Sequence, residues 1–285
     1  MIYILGLDGL EHEFVEKWEC SNLKQREYGK IKVPINKTVR VPTTPQVWMS
    51  FLCGKRISID FGTFYLARTM IVRILKFARK YVDLSLGLAS KVKTTKQVRG
   101  HFSNMTVENY LNQKLNQETF LDITNSEKIN VPYYNYDDRA REIVSAFGKG
   151  KISMQETVAG LNLIYETRKQ QILETVEMVR NKDVVLAYMH YPDILQHFFF
   201  HVPSKIRGHY VDLENFVSLL KRKLDDSSLF LIISDHGFDL KTETHSTYGF
   251  YSSNVNLDPK PERITDFYEI ICKSVRAQVP LHSFR

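Results

Sequence analysis

Three short apolar runs constrain the fold of this chain more than any other feature. They occupy residues 2–7, 184–189 and 229–233. A short, continuous apolar run predicts a strand that is buried on both faces, as in a parallel sheet. Each run leads into side chains that can bind a metal: Asp8, then His190 and Asp193, then Asp235 and His236. Because open α/β sheets bind ligands at the carboxyl ends of their strands, these side chains are candidates for one shared site.

Helical patterns separate the three predicted strands. Apolar residues recur at helical spacing over residues 156–180 and 210–224, and a last helix is predicted over residues 264–275. Alternating helices and strands imply parallel pairing, so we predict one α/β domain over residues 1–285 with a doubly wound, mostly parallel central sheet. Residues 62–148 interrupt this alternation, and we interpret them as a mainly helical insertion or cap.

The net charge of +7 is concentrated in this insertion. Residues 67–100 contain nine basic residues and one acidic residue, so the rest of the chain is close to neutral. Such a segment is either a solvated helix face or a surface that contacts polyanions in a salt-dependent manner. Binding of nucleic acid or another anionic surface is therefore the non-enzymatic alternative for this chain.

Composition and the N-terminus point to a cytoplasmic protein. The three cysteines lie far apart and form no CxxC pair, which fits a reducing compartment. The apolar run at the N-terminus lacks a basic region and is stopped by Asp8, so we expect a first strand and not a signal peptide. No apolar run is long enough to span a bilayer, and we expect no transmembrane segment.

Two further patterns add candidate site residues. Thr44 followed by Pro45 predicts a helix start, with Thr44 as the N-cap and Pro45 at the first helical position. A plain cap explains this pair, but a hydroxyl at a helix N-terminus also favours a bound phosphate and a developing alkoxide. Asp193 and His197 are four residues apart, so they project to the same side of a helical turn. His245 follows Asp235 by ten residues.

Five sequence motifs stand in a characteristic order: LGLDG at 5–9, TPQVWMSFLCG at 44–54, DILQH at 193–197, ISDHG at 233–237 and HSTYGFYSSN at 245–254. In this order the chain resembles the alkaline phosphatase superfamily, specifically its type I phosphodiesterase/nucleotide pyrophosphatase branch. The resemblance covers residues 1–55 and 184–275, and it does not explain the interval between them. It implies an alkaline-phosphatase-like version of the doubly wound fold.

The resemblance also implies a dinuclear metal centre, usually of zinc, although manganese and iron suit the same ligand types. It divides the ligands into two sets, Asp193, His197 and His245 for one ion and Asp8, Asp235 and His236 for the other. Thr44 would coordinate the second ion and act as the catalytic nucleophile, giving a covalent phosphothreonine. The implied enzyme is a metal-dependent phosphodiesterase or nucleotide pyrophosphatase that acts on a nucleotide-like phosphoester.

The nucleophile has one rival. Thr43 fits a T-x-P pattern with Thr44 and Pro45, but Thr44 matches the T-P-x-x-W-x-S form through Trp48 and Ser50. We therefore favour Thr44.

Substrate contacts leave a second alternative open. The phosphate-binding asparagine that the family places after the nucleophile is absent, and Gln46 is the candidate substrate-binding residue in its place. The motif at 44–54 contains no arginine that could hold the extra charge of a monoester, which favours diesters. The nearest alternative is a phosphomonoesterase or phosphomutase with the same dinuclear centre.

Overall fold

A six-stranded sheet forms the centre of the protein in the computed structural model, which describes residues 1–59, 111 and 116–278. Its strands are β1 (Ile2–Leu7), β2 (Glu27–Lys32), β3 (Ser126–Ile129), β4 (Val184–Met189), β5 (Leu229–Ser234) and β8 (Tyr248–Ser253). The spatial order is β2-β8-β5-β1-β4-β3. Strands β5, β1, β4 and β3 are parallel, whereas β8 runs antiparallel to both β5 and β2. A separate antiparallel hairpin consists of β6 (Phe238–Asp239) and β7 (Thr244–His245).

Helices flank this sheet. In chain order they are α1 (His12–Lys17), α2 (Ser21–Lys24), α3 (Thr44–Cys53), α4 (Arg139–Gly148), α5 (Met154–Met178), α6 (Asp193–Phe199), α7 (Pro203–Lys223) and α8 (Asp266–Gln278). A capping box starts α5: the Ser153 hydroxyl accepts from the Glu156 N–H, and the Glu156 carboxylate accepts from the Ser153 N–H.

The first strand contributes to two hydrophobic cores. Tyr3, Leu5 and Leu7 pack into one core with α4, α5 and α7, whereas Ile2 and Ile4 pack into the other core with α3 and α8. Because helices cover both faces, β1, β4 and β5 are buried along their whole lengths, which explains why their sequences are continuous apolar runs. Each fully buried leucine or isoleucine stabilises the fold by roughly 1.5–3 kcal/mol.

The structure confirms the coarse α/β class and the three predicted strands, with β5 extending one residue further to Ser234. The three predicted helices are present with shifted ends: 156–180 corresponds to α5, 210–224 to the later part of α7, and 264–275 to α8. None of the helices in the described ranges is long and apolar enough to cross a membrane.

Part of the predicted insertion belongs to the sheet and its helices. Within residues 62–148, β3 pairs in parallel with β4, and α4 packs against α5. The sequence of β3, Ser-Glu-Lys-Ile, contains no apolar run because an edge strand is covered on fewer sides than a central one. The basic segment 67–100, with its predicted helix and polyanion contact, lies outside the described residues.

Candidate metal centre

The predicted metal ligands converge at the carboxyl edge of the sheet. Asp8 follows β1, Asp193 begins the helix after β4, and Asp235 with His236 follows β5. Backbone hydrogen bonds join two of these segments: the Asp8 N–H donates to the Met189 carbonyl at 3.0 Å, and the Asp193 N–H donates to the Asp8 carbonyl at 2.9 Å. Parallel pairing of β1 with β4 and β5 therefore brings residues that are distant in sequence to one place.

Gly9 allows this close approach. Its φ angle is +73°, and a Cβ atom at this position would lie 2.6 Å from the Cβ atom of Asp193. Any other residue would therefore be strained and would also collide with a candidate ligand. The Gln196 side chain fixes the same turn, because its Nε2 donates to the Gly9 carbonyl at 2.7 Å.

Asp193, His197 and His245 form the first ligand group, in which one ligand atom of each residue lies within 4.8 Å of the others. His197 Nε2 is 3.3 Å from Asp193 Oδ1 and 3.3 Å from His245 Nε2. The other ring nitrogen of His245 lies 3.0 Å from the Pro42 carbonyl oxygen. Donation from Nδ1 to this oxygen leaves Nε2 as the ligand atom that faces the group.

Asp8, Asp193 and His236 form the second ligand group. His236 Nε2 is 3.3 Å from Asp8 Oδ1, and His236 Nδ1 lies 3.1 Å from the Gly237 carbonyl oxygen. Asp193 thus belongs to both groups, whereas the family resemblance assigns it to one ion. Asp235 lies beside the second group, with its Oδ2 3.3 Å from His236 Nε2.

The two ligand groups are adjacent. The rings of His236 and His245 stack with their centres 3.6 Å apart and their planes 10° from parallel. His197 packs edge-on against Phe238, which closes the first group on one side. All seven predicted ligand residues, including Thr44, therefore lie in one continuous cluster.

The electrostatics of the cluster favour added positive charge. Burial and the neighbouring Asp8 raise the pKa of Asp235 well above its usual value. Burial opposes the charge on His236, but Asp235, Asp8 and Asp193 together raise the pKa of this imidazole to about 10. Burial lowers the pKa of His245 to about 4. Crowded negative charge thus favours protons on Asp235 and His236, and a bound cation would neutralise that charge without those protons.

Two buried carboxylate oxygens show whether this cluster suits a metal ion. Asp193 Oδ1 and Asp235 Oδ2 accept no hydrogen bond of normal geometry among the described residues, and each lies 3.3 Å from an imidazole Nε2, that of His197 and that of His236 respectively. Buried carboxylate oxygens are stabilised by a cation or a hydrogen-bond donor, and a metal ion that the imidazole nitrogens also bind would supply the cation. Carboxylate oxygens and imidazole nitrogens are ligands of zinc and also of manganese or iron. The residues present therefore fit divalent cations.

Thr44 lies at the edge of the second ligand group. It is buried, and its Oγ1 is 3.5 Å from Asp8 Oδ1 and 3.4 Å from His236 Nε2. The predicted N-cap was wrong by one residue: α3 begins at Thr44, Thr43 is the N-cap, and Pro45 is the second helical residue. The register differs because the backbone of Thr43 is extended and its carbonyl accepts the first helical hydrogen bond, from the Val47 N–H at 3.0 Å.

Thr43 makes no side-chain hydrogen bond to either ligand group among the described residues. Its Oγ1 is buried and has no hydrogen-bond partner among the residues that the structure describes. The hydroxyl that meets the candidate ligands is that of Thr44.

Gln46 is also in the first turn of α3 and is buried. Its Oε1 accepts a hydrogen bond from Asn36 Nδ2 at 2.7 Å. Asn36 is itself held in place, because its Oδ1 accepts from the N–H groups of Thr38 and Val39. The Gln46 amide oxygen thus already accepts a hydrogen bond from Asn36, and Gln46 Nε2 is the atom of this side chain that could donate to a ligand.

Two residues that support the centre were not predicted from the sequence. The Tyr188 hydroxyl donates to Asp8 Oδ2 at 2.5 Å, although the apolar strand that contains this tyrosine predicts only a core residue. The buried Glu11 carboxylate accepts from Ser246 and Tyr248 in the segment that carries His245. A phenol inside a buried strand is the one available hint for Tyr188, since buried tyrosine hydroxyls usually have a partner.

The fold and the site together define an α/β protein with a candidate metal centre at the carboxyl edge of a mostly parallel sheet. No protein-family model matches the chain, and no curated protein matches it. The function must therefore be inferred from the geometry of the site and from the order of the sequence motifs.

Proposed function

We propose that this protein is a metal-dependent phosphodiesterase or nucleotide pyrophosphatase with an alkaline-phosphatase-like fold. The position of Thr44 is the main support for this proposal. Thr44 is the first residue of α3, and its Oγ1 lies 3.5 Å from Asp8 Oδ1 and 3.4 Å from His236 Nε2. A hydroxyl at a helix N-terminus beside carboxylate and imidazole ligands suits nucleophilic phosphoryl transfer.

The candidate ligands would hold two divalent ions, with zinc preferred and manganese or iron compatible. Following the motifs, the two ligand sets are Asp193, His197 and His245, and Asp8, Asp235 and His236. Membership of Asp193 in both spatial groups supports two adjacent ions. When bound, such ions stabilise the attacking and leaving oxygens of an in-line displacement.

The chain's own residues have defined roles in this mechanism. Thr44 Oγ1 releases its proton to solvent and attacks phosphorus, while the bond from phosphorus to the ester oxygen breaks on the opposite side. The leaving oxygen takes up a proton from solvent and departs as an alcohol. The N-terminus of α3 stabilises negative charge on the phosphoryl group, and Gln46 Nε2 donates to one of its oxygens. Water then attacks the phosphothreonine, which releases the phosphate product and restores the Thr44 hydroxyl.

A phosphomonoesterase or phosphomutase is the second candidate, and one observation favours it. Arg141 is connected to Asp8 by contacts through two tyrosines: its Nε donates to the Tyr136 hydroxyl, Tyr136 contacts Tyr188, and the Tyr188 hydroxyl donates to Asp8 Oδ2. A guanidinium group near the centre could hold the extra charge of a monoester, which the sequence around Thr44 does not provide for. Hydrolysis of 4-nitrophenyl phosphate that is faster than hydrolysis of bis(4-nitrophenyl) phosphate would reverse our preference.

The proposal is tested by metal analysis of the purified protein together with hydrolysis of bis(4-nitrophenyl) phosphate. We expect Thr44→Ala to lower kcat by about a thousandfold or more, since it removes the nucleophile. Its metal content should stay near that of the wild type, because carboxylates and imidazoles provide the remaining ligands. Thr43→Ala is the matched control and should retain most of the activity. Full activity of Thr44→Ala, or loss of activity only in Thr43→Ala, would contradict the assignment.

A further inference from the structure

An arginine extends the candidate site towards β3. Arg141 is in the first turn of α4, the helix that follows β3 at the carboxyl edge of the sheet. Its Nε donates to the Tyr136 hydroxyl at 3.0 Å, and its guanidinium carbon lies 5.6 Å from the centre of the Tyr136 ring. Tyr136 contacts Tyr188, and the Tyr188 hydroxyl donates to Asp8 Oδ2. A short series of contacts thus connects Arg141 with the second ligand group.

Arg141 lacks the ion pair that neighbouring arginines have. Asp137 pairs with Arg139 at 2.6 Å and with Arg168 at 3.2 Å. No ion pair of Arg141 is found in the part of the chain that the structure describes, although its side chain is partly buried. One carboxylate therefore serves two arginines, and no carboxylate among the described residues forms an ion pair with the third.

His190 adds an unpaired polar atom to the same region. Its ring packs against those of Tyr136 and Tyr188, with centres 4.9 and 5.4 Å away. The imidazole is buried, and its Nε2 has no hydrogen-bond partner among the described residues. A buried ring nitrogen without a partner is costly, and a ligand that hydrogen-bonds to it would remove that cost.

We infer that Arg141 and His190 form a subsite for a second anionic group of the substrate, beside the phosphate that reacts at Thr44. The guanidinium group offers several N–H donors in a planar fork, which matches a phosphate or a carboxylate. The subsite deepens the proposed function and rests on it, because the reacting phosphate must lie at the metal centre. It restricts the substrate to phosphoesters that carry a further anionic group near the reacting one.

The test compares two non-hydrolysable ligands, methylphosphonate with one phosphonate group and methylenediphosphonate with two. Their dissociation constants are measured by calorimetry on the metal-loaded protein after unbound metal has been removed, and bound metal is assayed again after the titration. The variants are Arg141→Gln, Arg141→Lys and His190→Phe, of which the last retains an aromatic ring at this position. Arg139→Gln is the matched control. Arg139 lies two residues from Arg141, and this substitution removes the same charge from an exposed side chain.

We expect Arg141→Gln to weaken binding of methylenediphosphonate roughly tenfold or more, and His190→Phe roughly threefold, because charge-assisted hydrogen bonds are lost. Arg141→Lys should recover part of the affinity. Binding of methylphosphonate should stay within about twofold in every variant, and Arg139→Gln should behave as the wild type. Equal weakening of both ligands, or no weakening of either, would overturn the subsite and leave Arg141 with a purely structural or monoester-binding role.

Hydrolysis of bis(4-nitrophenyl) phosphate by the same preparations separates the two proposals. If the wild type does not hydrolyse this diester but Arg141→Gln selectively loses methylenediphosphonate, the proposed function fails and the subsite stands. If the diester is hydrolysed and selective loss is absent, the subsite fails and the proposed function stands.

Discussion

Gly9 shows how a single residue without a side chain permits the candidate centre. Its backbone has a φ angle of +73°, which L-residues rarely adopt, and Asp193 occupies the space where a Cβ atom would stand. The contact is with the Cα and Cβ atoms of Asp193 as well as its carboxylate, so a rotation of the Asp193 side chain would not relieve it. The positive φ angle and the lack of space for a Cβ atom therefore both require glycine at position 9.

Replacement of Gly9 by alanine should damage both stability and metal binding. We expect Gly9→Ala to lower the free energy of unfolding by about 2–4 kcal/mol, from backbone strain together with the displaced Asp193. Because Asp193 belongs to both ligand groups, bound metal per protein should fall as well. Chemical denaturation and metal analysis of the purified variant measure the two effects.

Gly208→Ala provides the control for this variant. Gly208 lies within α7, and an added Cβ atom would meet nothing within 4 Å. Alanine at such a helical position should stabilise the protein by roughly 0.5–1 kcal/mol and leave metal content unchanged. If Gly9→Ala were as stable and as metal-rich as Gly208→Ala, the close approach of Gly9 to Asp193 would not matter for the site.

At the scale of secondary structure, continuous apolar sequence decides which strands could be predicted. Strands β1 and β4 could be predicted with their observed ends, because they are continuous apolar runs of the kind that central parallel strands favour. Strand β8 is also buried, but its buried serines interrupt the apolar pattern and it was not predicted. Strands β2 and β3 could not be predicted, because their sequences, Glu-Tyr-Gly-Lys-Ile-Lys and Ser-Glu-Lys-Ile, are partly exposed and mostly polar. The start of α7 was missed for a similar reason, since residues 203–209 contain little apolar periodicity.

The same distinction applies to the candidate site. Side chains at the ends of apolar strands could be predicted as neighbours because parallel strands share one carboxyl edge. Three features depend on contacts between segments that are far apart in sequence. They are the sharing of Asp193 by two groups, the Tyr188 hydrogen bond to Asp8 and the packing of Tyr136, which binds Arg141, against Tyr188. No local pattern predicts such contacts, because helix and strand periodicity indicate which face of an element is buried. They do not indicate which other segment packs against that face.

Glu11 positions the hairpin that carries His245. Each of its two carboxylate oxygens accepts two hydrogen bonds, and the four donors are the Glu13 N–H, the Tyr248 hydroxyl, the Phe238 N–H and the Ser246 hydroxyl. Three of these donors lie in residues 238–248, around the β6–β7 hairpin. A carboxylate suits this position because it accepts at both oxygens, whereas an amide accepts at only one.

Glu11→Gln should therefore loosen the hairpin without removing a candidate ligand. We expect the free energy of unfolding to fall by about 1–3 kcal/mol, because two donors are left facing an NH₂ group. Metal should be lost preferentially from the first ligand group, to which His245 belongs, so bound metal should approach one ion per protein. Faster hydrogen exchange at the Phe238 and Ser246 amides would report the loosened hairpin directly.

Glu13→Gln is the matched control for this substitution. Its side chain is 62% exposed and pairs with Lys30, so the change should alter stability by less than about 0.5 kcal/mol. Wild-type metal content and wild-type hydrogen exchange in Glu11→Gln would show that the hairpin is held by other contacts.

At the scale of the whole molecule, the candidate centre joins segments from most of the chain. Its ligands follow β1, β4 and β5 or lie in the β6–β7 hairpin, so they span residues 8 to 245. In the unfolded chain these residues are far apart and cannot form a common site. A cation that binds the folded state and not the unfolded state raises the free energy of unfolding. Its removal should therefore lower the stability of the whole molecule.

Chelation should therefore lower the thermal unfolding midpoint of metal-loaded protein by about 5–10 °C. This range follows from a stabilisation of about 2.7 kcal/mol at a metal concentration one hundred times Kd, with about 2–4 °C per kcal/mol for a chain of this size. Differential scanning calorimetry with and without EDTA measures the shift. Asp193→Asn removes the carboxylate shared by both ligand groups, and EDTA should leave its midpoint nearly unchanged. An equal shift in Asp193→Asn and in the wild type would place the bound metal somewhere other than this centre.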